Sequence, residues 1–115
     1  MKYIAIIAAL AFVGGTATMR AADEAALAKA KVVYEKECAK CHGKEGKGDT
    51  KMGQKLGCKD YSKAEVQSKM KDEEAFKAIK EGLKKDGKTL MKPTKGVNDQ
   101  QIKDLVAYMR KLKKD

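Results

Sequence analysis

Residues 38–42 read Cys-Ala-Lys-Cys-His, and these five residues carry the strongest functional signal in the chain. The segment before them, from Glu24 to Lys36, is rich in Ala, Leu, Lys and Glu, and its apolar residues recur at intervals of three and four. This periodicity predicts an amphipathic helix. A segment rich in glycine and charge follows, which predicts an irregular loop. The two thiols and the imidazole are therefore expected together at a helix end.

The pattern Cys-x-x-Cys-His is typical of covalent attachment of haem c. Cys38 and Cys41 would form thioether bonds with two vinyl groups on one haem edge, and His42 would be held under the iron as its proximal ligand. One covalently attached haem c is therefore the expected cofactor. Two alternatives stay open at this point. A thioredoxin-like dithiol expects a βαβ context that the chain lacks, and a zinc site would need Cys58 as its fourth ligand.

The second axial ligand of such an iron cannot be another histidine of the same molecule, because His42 is the only one. A methionine, a lysine, water or a residue of another molecule remains. A methionine thioether is a soft, neutral ligand that raises the reduction potential relative to histidine. Met91 lies in a predicted loop beside Pro93, far enough along the chain to approach the opposite haem face. Met91 is therefore the predicted distal ligand. The other methionines after residue 22 are expected in packing roles or in a loop too close to the proximal histidine: Met109, Met70 and Met52.

Two short helices and a loop are predicted after the glycine-rich segment. Ser62 with Glu65 fits a capping box that would open the first helix. Asp72 is placed to cap the second. The loop is expected over residues 84–96, around Met91. The apolar side chains that the second helix would turn inward are Phe76, Ile79 and Leu83.

The last helix is expected to open at Asn98, with Gln101 completing a capping box. Its apolar residues recur at helical spacing and would face the core. They are Ile102, Leu105, Val106, Met109 and Leu112. No stretch of the chain shows convincing apolar and polar alternation with period two. The predicted fold class is therefore all-α, with short helices and loops around one haem.

Two segments carry a resemblance to class I bacterial cytochromes c. Residues 38–49 (CAKCHGKEGKGD) are similar to the start of that family, and residues 90–112 are similar to its methionine loop and C-terminal helix. With the first helix, the resemblance covers nearly all of residues 24–113. It implies a mono-haem fold in which the N- and C-terminal helices cross, and it implies His42 and Met91 as the axial ligands.

The resemblance also makes two finer statements. It implies that Ala30 and Tyr34 meet Leu105 and Tyr108 where the terminal helices cross. Many members have Gly-Pro-x-Leu after the haem loop, with the proline carbonyl accepting a hydrogen bond from the proximal histidine. The nearest match here is 53–56 (Gly-Gln-Lys-Leu). A backbone carbonyl can still orient the ring, and the sequence does not identify which one.

The N-terminal segment has the order of a secretory signal peptide. A basic Lys2 precedes an apolar run from Tyr3 to Val13, and small residues follow. That run is too short to span a bilayer, which takes roughly 20 residues. We therefore expect a signal peptide over residues 1–22, cleaved at a point between 17 and 22. A mono-haem domain over residues 23–115 would then be exported to the periplasm without stable insertion into the membrane.

The charge of the chain bears on its partners. The formal net charge is +10, and all acidic residues follow residue 22. Such a balance favours electrostatic steering toward an acidic redox protein or a membrane respiratory complex. Lysines near the predicted ligands along the chain include Lys40, Lys44, Lys92 and Lys95. Nucleic-acid binding is disfavoured, because no basic stretch with interleaved aromatic residues is present.

Together these features predict a one-electron carrier that cycles between Fe(III) and Fe(II) and is not an enzyme. The alternative is a haem sensor or weak peroxidase, which would need an open or labile sixth position on the iron. Cys58 is the odd third cysteine of an exported chain. We expect a monomer with this thiol partly buried, and the alternative is a dimer linked through Cys58.

Overall fold

The computed structural model describes residues 16–114, in which six α-helices and one two-stranded hairpin follow each other along the chain. A π-helical turn, Tyr34–Cys38, joins α1 to α2. The helices are α1 Thr16–Val33, α2 Ala39–His42, α3 Lys51–Leu56, α4 Ala64–Lys69, α5 Asp72–Glu81 and α6 Asp99–Arg110; the strands are β1 Leu83–Lys85 and β2 Lys88–Met91. The prediction of an all-α fold is confirmed, with this hairpin as an addition. Residues 1–15 of the predicted signal peptide lie outside the described residues.

Helix α1 packs across α6, and the core of the fold lies at this crossing. Tyr34 and Leu105 are each only 1% exposed. The ring centroids of Tyr34 and Tyr108 are 5.1 Å apart with the planes tilted by 51°, a separation typical of aromatic pairs. The crossing that the resemblance implied is therefore present. The buried hydrophobic side chains are Ala30, Tyr34, Ile79, Ile102, Leu105, Val106 and Met109.

The first helix differs in its limits from the prediction. It was expected from Glu24 to Lys36, whereas α1 already begins at Thr16 and gives way to the π-helical turn after Val33. Such turns add one residue to a helical turn and are frequent at functional sites. Here the turn ends at Cys38, the first residue of the motif.

The capping boxes predicted for α4 and α6 had different outcomes. At α6 the predicted capping box is present: the Gln101 amide donates to Asn98 Oδ1 at 2.8 Å, and the Asn98 amide donates to Gln101 Oε1 at 2.8 Å. At α4 the predicted box is wrong. The helix begins after Lys63, and the Ser62 hydroxyl donates to Asp60 instead. A short turn closed by an aspartate competes with a helix cap for the same groups.

The segment predicted as a loop over residues 84–96 begins with the hairpin. Asp86 and Gly87 form its turn with φ angles of 53° and 76°, so both are left-handed. This is the geometry that Asp-Gly turns adopt in tight hairpins. Leu83 was expected to point inward from a helix, but it lies in β1 and is 48% exposed. Asp72 was expected to cap α5, but it lies in the first turn of that helix, after Lys71.

Within residues 16–114, no helix combines the length and the apolar character needed to cross a bilayer.

Candidate functional site

A cavity of about 290 Å³ opens beside the crossing of α1 and α6. Three of the four predicted site residues line it: Cys38, His42 and Met91. The fourth, Cys41, lies in the same short helix as His42 and is half-buried. The cavity wall is largely apolar, as is usual for sites that hold a small molecule or a cofactor. The folded chain thus brings Met91, from its last third, to the same site as Cys38 and His42.

Hydrogen bonds from several directions fix the turn that carries the motif. The Tyr34 hydroxyl donates to the Gly43 carbonyl at 2.7 Å. The Thr50 hydroxyl donates to the Cys41 carbonyl at 2.9 Å, and Thr50 also caps α3. Gly53 of α3 lies directly against this turn, and a Cβ at Gly53 would overlap the Cys41 carbonyl oxygen. The motif is therefore supported by α3 on one side and by the core tyrosine on the other.

Burial controls the charge state of the motif residues. It lowers the pKa of His42, which favours the neutral imidazole whose lone pair can bind a metal. Burial, followed by the nearby Glu37 and Cys41, raises the pKa of Cys38 to about 11. The three cysteines are all free of disulfide bonds. The motif thus offers a neutral imidazole and unpaired thiols to an incoming group.

The Nδ1 atom of His42 is buried, and the structure gives it no hydrogen-bond partner within residues 16–114. Buried polar atoms are usually paired, so this atom needs an explanation. The stretch of residues 53–56, the nearest match in the sequence to the family's Gly-Pro-x-Leu, forms part of α3 and does not line the cavity. Lys59 and Tyr61 line it instead. The segment after α3 thus contributes to the cavity wall, whereas α3 itself does not.

The hairpin places Met91 at the cavity. Met91 ends β2 and pairs with Leu83 of β1, and both side chains line the cavity. The segment after Met91 is tied to α5, since the Thr94 amide donates to the Ile79 carbonyl at 2.9 Å. The position of Met91 is therefore set by the end of α5 and by the hairpin together.

Met70 also lines the cavity, which the sequence analysis did not anticipate. It lies just after α4 and is half-buried. Met109 of α6 contributes to the same wall, as part of the core stripe. Met52 is 37% exposed and is not among the lining residues. The structure thus leaves Met91 and Met70 as the half-buried thioethers at the cavity, and Met52, expected in a loop, lies in α3.

Tyr61 is a second site residue that the sequence analysis missed. Its ring centroid lies 5.8 Å from that of His42, with the planes tilted by 51°. Burial, followed by the nearby Cys58, raises the pKa of Tyr61. An aromatic residue soon after a glycine-rich loop was the available signal, in a chain with only four tyrosines and two phenylalanines. Charged side chains also reach the cavity wall, and they are Lys59, Lys69 and Glu74.

The third cysteine lies near the motif. The Cys58 amide donates to the Gly53 carbonyl at 2.8 Å, and Gly53 in turn contacts Cys41. Burial, and to a lesser extent Cys41, raises the pKa of the Cys58 thiol. Among residues 16–114, no group of three or more His, Cys, Asp or Glu side chains is placed to hold a metal ion. Cys58 therefore does not join the motif in the four-ligand set that a zinc site would require.

The donors at the cavity fit a haem bound through its edge and its iron. Two free thiols are separated by two residues, a neutral imidazole follows them, and thioethers lie elsewhere in the wall. Binding of iron through Nε2 would leave Nδ1 of His42 as a hydrogen-bond donor, for which residues 16–114 supply no acceptor. The residues present are thus those that a covalently attached haem needs.

Comparisons with known proteins point the same way. The family model for cytochrome c matches residues 27–113. The chain is also similar to a solved structure, the KustC0563 c-type cytochrome, with 32% sequence identity and a TM-score of 0.64. That similarity covers 74% of this chain and 98% of the other. No curated protein sequence matches the chain.

Proposed function

Because the chain belongs to the cytochrome c family, we propose that it is a periplasmic one-electron carrier with one haem c, held by Cys38 and Cys41 and ligated by His42 and Met91. The family assignment itself identifies a haem-based electron carrier. The observation that supports the finer proposal is that Cys38, His42 and Met91 line a single cavity. We propose no enzymatic activity for this chain.

A haem bound in this cavity supplies the exchange of one electron between Fe(III) and Fe(II). The residues of the chain hold and shield it. Cys38 and Cys41 would fix its edge covalently, and the neutral His42 and Met91 would add no charge to the iron. The largely apolar wall limits the access of water, and a soft thioether ligand favours the ferrous state. These features suit an electron carrier whose haem site keeps the same ligands in both oxidation states.

Exposed lysines support a partner with an acidic surface. Lys40, Lys44, Lys92 and Lys95 are all exposed, and none makes an ion pair within residues 16–114. Two of them follow Met91 closely, and the other two flank His42. The proposed partner is an acidic redox protein or a membrane respiratory complex that binds transiently. Nucleic acid is not a proposed partner.

We further propose export by the signal peptide of residues 1–22 and a monomeric mature protein. Cys58 is half-buried, and burial raises the pKa of its thiol, which lowers the thiolate fraction and disfavours a disulfide between molecules. N-terminal sequencing of the protein from a periplasmic fraction tests the export and the cleavage point between residues 17 and 22. A non-reducing gel of the same fraction, with Cys58→Ser as control, tests for a dimer.

The axial ligation is tested by visible spectra of the oxidised and reduced holoprotein, made with haem-maturation machinery. The two candidate thioethers give a matched pair of variants, Met91→Ala and Met70→Ala. We expect the wild type and Met70→Ala to be low-spin and to show the weak far-red band of methionine-ligated ferric haem. Met91→Ala should lose that band.

Each other result has a defined meaning. Loss of the band in Met70→Ala alone would identify Met70, and not Met91, as the distal ligand. A high-spin wild type that readily binds carbon monoxide or cyanide would contradict the electron carrier and favour a haem sensor or weak peroxidase. A protein without haem would contradict both.

A further inference from the structure

Arg110, at the end of α6, makes more side-chain hydrogen bonds than its surface position requires. Its Nη1 donates to the Gln67 carbonyl at 2.6 Å, and its Nη2 donates to the Met70 carbonyl at 2.6 Å. Its Nε and Nη2 both donate to Asp72 Oδ1, at 2.9 and 2.7 Å. The planar fork of a guanidinium can serve such diverging acceptors at once, whereas an ammonium is a single point charge.

These bonds converge on the junction between α4 and α5. Gln67 lies within α4, Met70 follows its last residue, and Asp72 begins α5. Helix α4 has six residues and no side-chain N-cap. Isolated helices of this length are not stable in water, so α4 depends on contacts from elsewhere in the fold. Arg110 provides such contacts to its C-terminal end.

The same junction forms part of the haem cavity. Met70 lines the cavity, and so does Tyr61, whose carbonyl accepts a hydrogen bond from Gln67 Nε2 at 2.7 Å. Gln67 Nε2 also donates to the Met109 carbonyl at 2.8 Å, and Gln67 is only 5% exposed. Arg110 and Gln67 thus connect α6 with the backbone of two residues in the cavity wall, Met70 and Tyr61.

We propose that Arg110 is a positioning residue of the haem site, which holds the α4–α5 junction, and Met70 with it, closed against the haem. This inference rests on the proposed function, because it concerns access to the sixth position of the iron. An added ligand can replace the distal ligand only if the cavity wall moves enough to leave room for it. A wall held by charged hydrogen bonds to backbone carbonyls resists the opening that an added ligand needs.

The test is the affinity of imidazole for the ferric holoprotein, measured from the visible spectrum, in Arg110→Met and Arg110→Lys. Lys111→Met is the charge-matched control, since Lys111 is the exposed neighbour of Arg110. Ala107→Gly is the stability control, because Ala107 is exposed on α6 and glycine weakens a helix interior. The free energy of unfolding of each variant is measured alongside.

We expect Arg110→Met to bind imidazole about tenfold more tightly than wild type, with Arg110→Lys in between. Lys111→Met should be unchanged, and Ala107→Gly should change stability without a comparable change in imidazole affinity. If Arg110→Met and Ala107→Gly shift the affinity equally for equal loss of stability, Arg110 is only structural and the inference is wrong. If Arg110→Met does not fold, Arg110→Lys decides, and wild-type affinity in that variant would contradict the inference.

The failure of the proposed function gives a different signature. It shows in the wild type alone, as a missing haem or as a high-spin spectrum without the methionine band, and it would overturn the inference as well. Failure of the inference alone shows as a normal wild-type spectrum together with an Arg110→Lys variant that binds imidazole as the wild type does.

Discussion

Gly82 lies against the backbone of Met91, and a Cβ at Gly82 would be 2.5 Å from the Met91 carbonyl oxygen. It would also lie 3.0 Å from the backbone nitrogen of Pro93. Gly82 has φ of 80°, a conformation that residues with a side chain rarely adopt. The end of α5 and the strand that carries Met91 can therefore approach this closely only with glycine at position 82.

Gly82→Ala is expected to displace Met91 as well as to destabilise the fold. The backbone strain and the clash should together lower the free energy of unfolding by about 1–3 kcal/mol. The far-red band should weaken in the ferric spectrum. Gly87→Ala is the control, because Gly87 has φ of 76° but no atom within 4 Å of the added Cβ. Equal loss of the band in both variants would show that strain in the hairpin, and not contact with Met91, is responsible.

Gly53→Ala tests the contact between α3 and the motif. A Cβ at this position would overlap the Cys41 carbonyl oxygen and lie 2.6 Å from that of Gly48. Since both neighbours are backbone atoms, no side-chain rotation can relieve the overlap. We expect the turn to shift and the fraction of protein with covalently attached haem, measured by mass spectrometry, to fall by more than half.

The control for this variant is Gly57→Ala. Gly57 ends the same helix with φ of 71°, but a Cβ there would have no atom within 4 Å. Its variant should lose some stability and keep normal haem content. Normal haem content in Gly53→Ala would mean that the packing of α3 on the motif is not needed for attachment.

The parts of the fold that could be predicted from the sequence are those that depend on near neighbours. The capping box of Asn98 and Gln101 is complete within four residues, and the stripe of α6 needs only one helix face. The motif from Cys38 to His42 is equally local. Its spacing indicates haem attachment, but the choice of haem over a dithiol also used the absence of a βαβ pattern from the chain.

What the sequence did not predict depends on distant partners or on competing local bonds. The Met70 carbonyl finds Arg110 across 40 residues, and no pattern near either residue indicates this contact. The hairpin was missed because lysines, not alternating apolar residues, flank its Asp86-Gly87 turn. Ser62 was read as a helix cap, but Asp60, two residues earlier, accepts the hydrogen bonds of both its hydroxyl and its amide.

The stability of the protein should depend on Tyr34 at alkaline pH. Burial, followed by the nearby Cys38, raises the pKa of Tyr34 far above the ordinary value of about 10. Below that ordinary value the folded and unfolded chains both keep the phenolic proton. Above it the unfolded chain releases the proton and the folded chain keeps it, so stability falls as the pH rises.

Tyr34→Phe removes this dependence. It also removes the hydrogen bond to the Gly43 carbonyl, so the variant should be less stable by about 1 kcal/mol at pH 8. The free energies of unfolding of the two proteins, measured with urea at pH 8, 9, 10 and 11, should converge as the pH rises. A difference in the free energy of unfolding that stays constant over this pH range would contradict a raised pKa at Tyr34.

The exposed lysines beside Met91 should steer charged reactants. We expect Lys92→Gln with Lys95→Gln to slow oxidation of the ferrous holoprotein by ferricyanide, a small anion, by roughly threefold at low ionic strength. The difference should fade as added salt screens the charges. A cationic cobalt oxidant should show the opposite change, because removal of two positive charges lowers its repulsion from this surface.

Lys29→Gln with Lys31→Gln is the matched control. It removes the same charge from exposed positions of α1 that do not line the cavity. If electrons leave beside Met91, this control should alter the ferricyanide rate less than the variant at positions 92 and 95 does. Equal effects of the two double variants would mean that net charge alone governs the rate. The surface around Lys92 and Lys95 would then not be the docking surface.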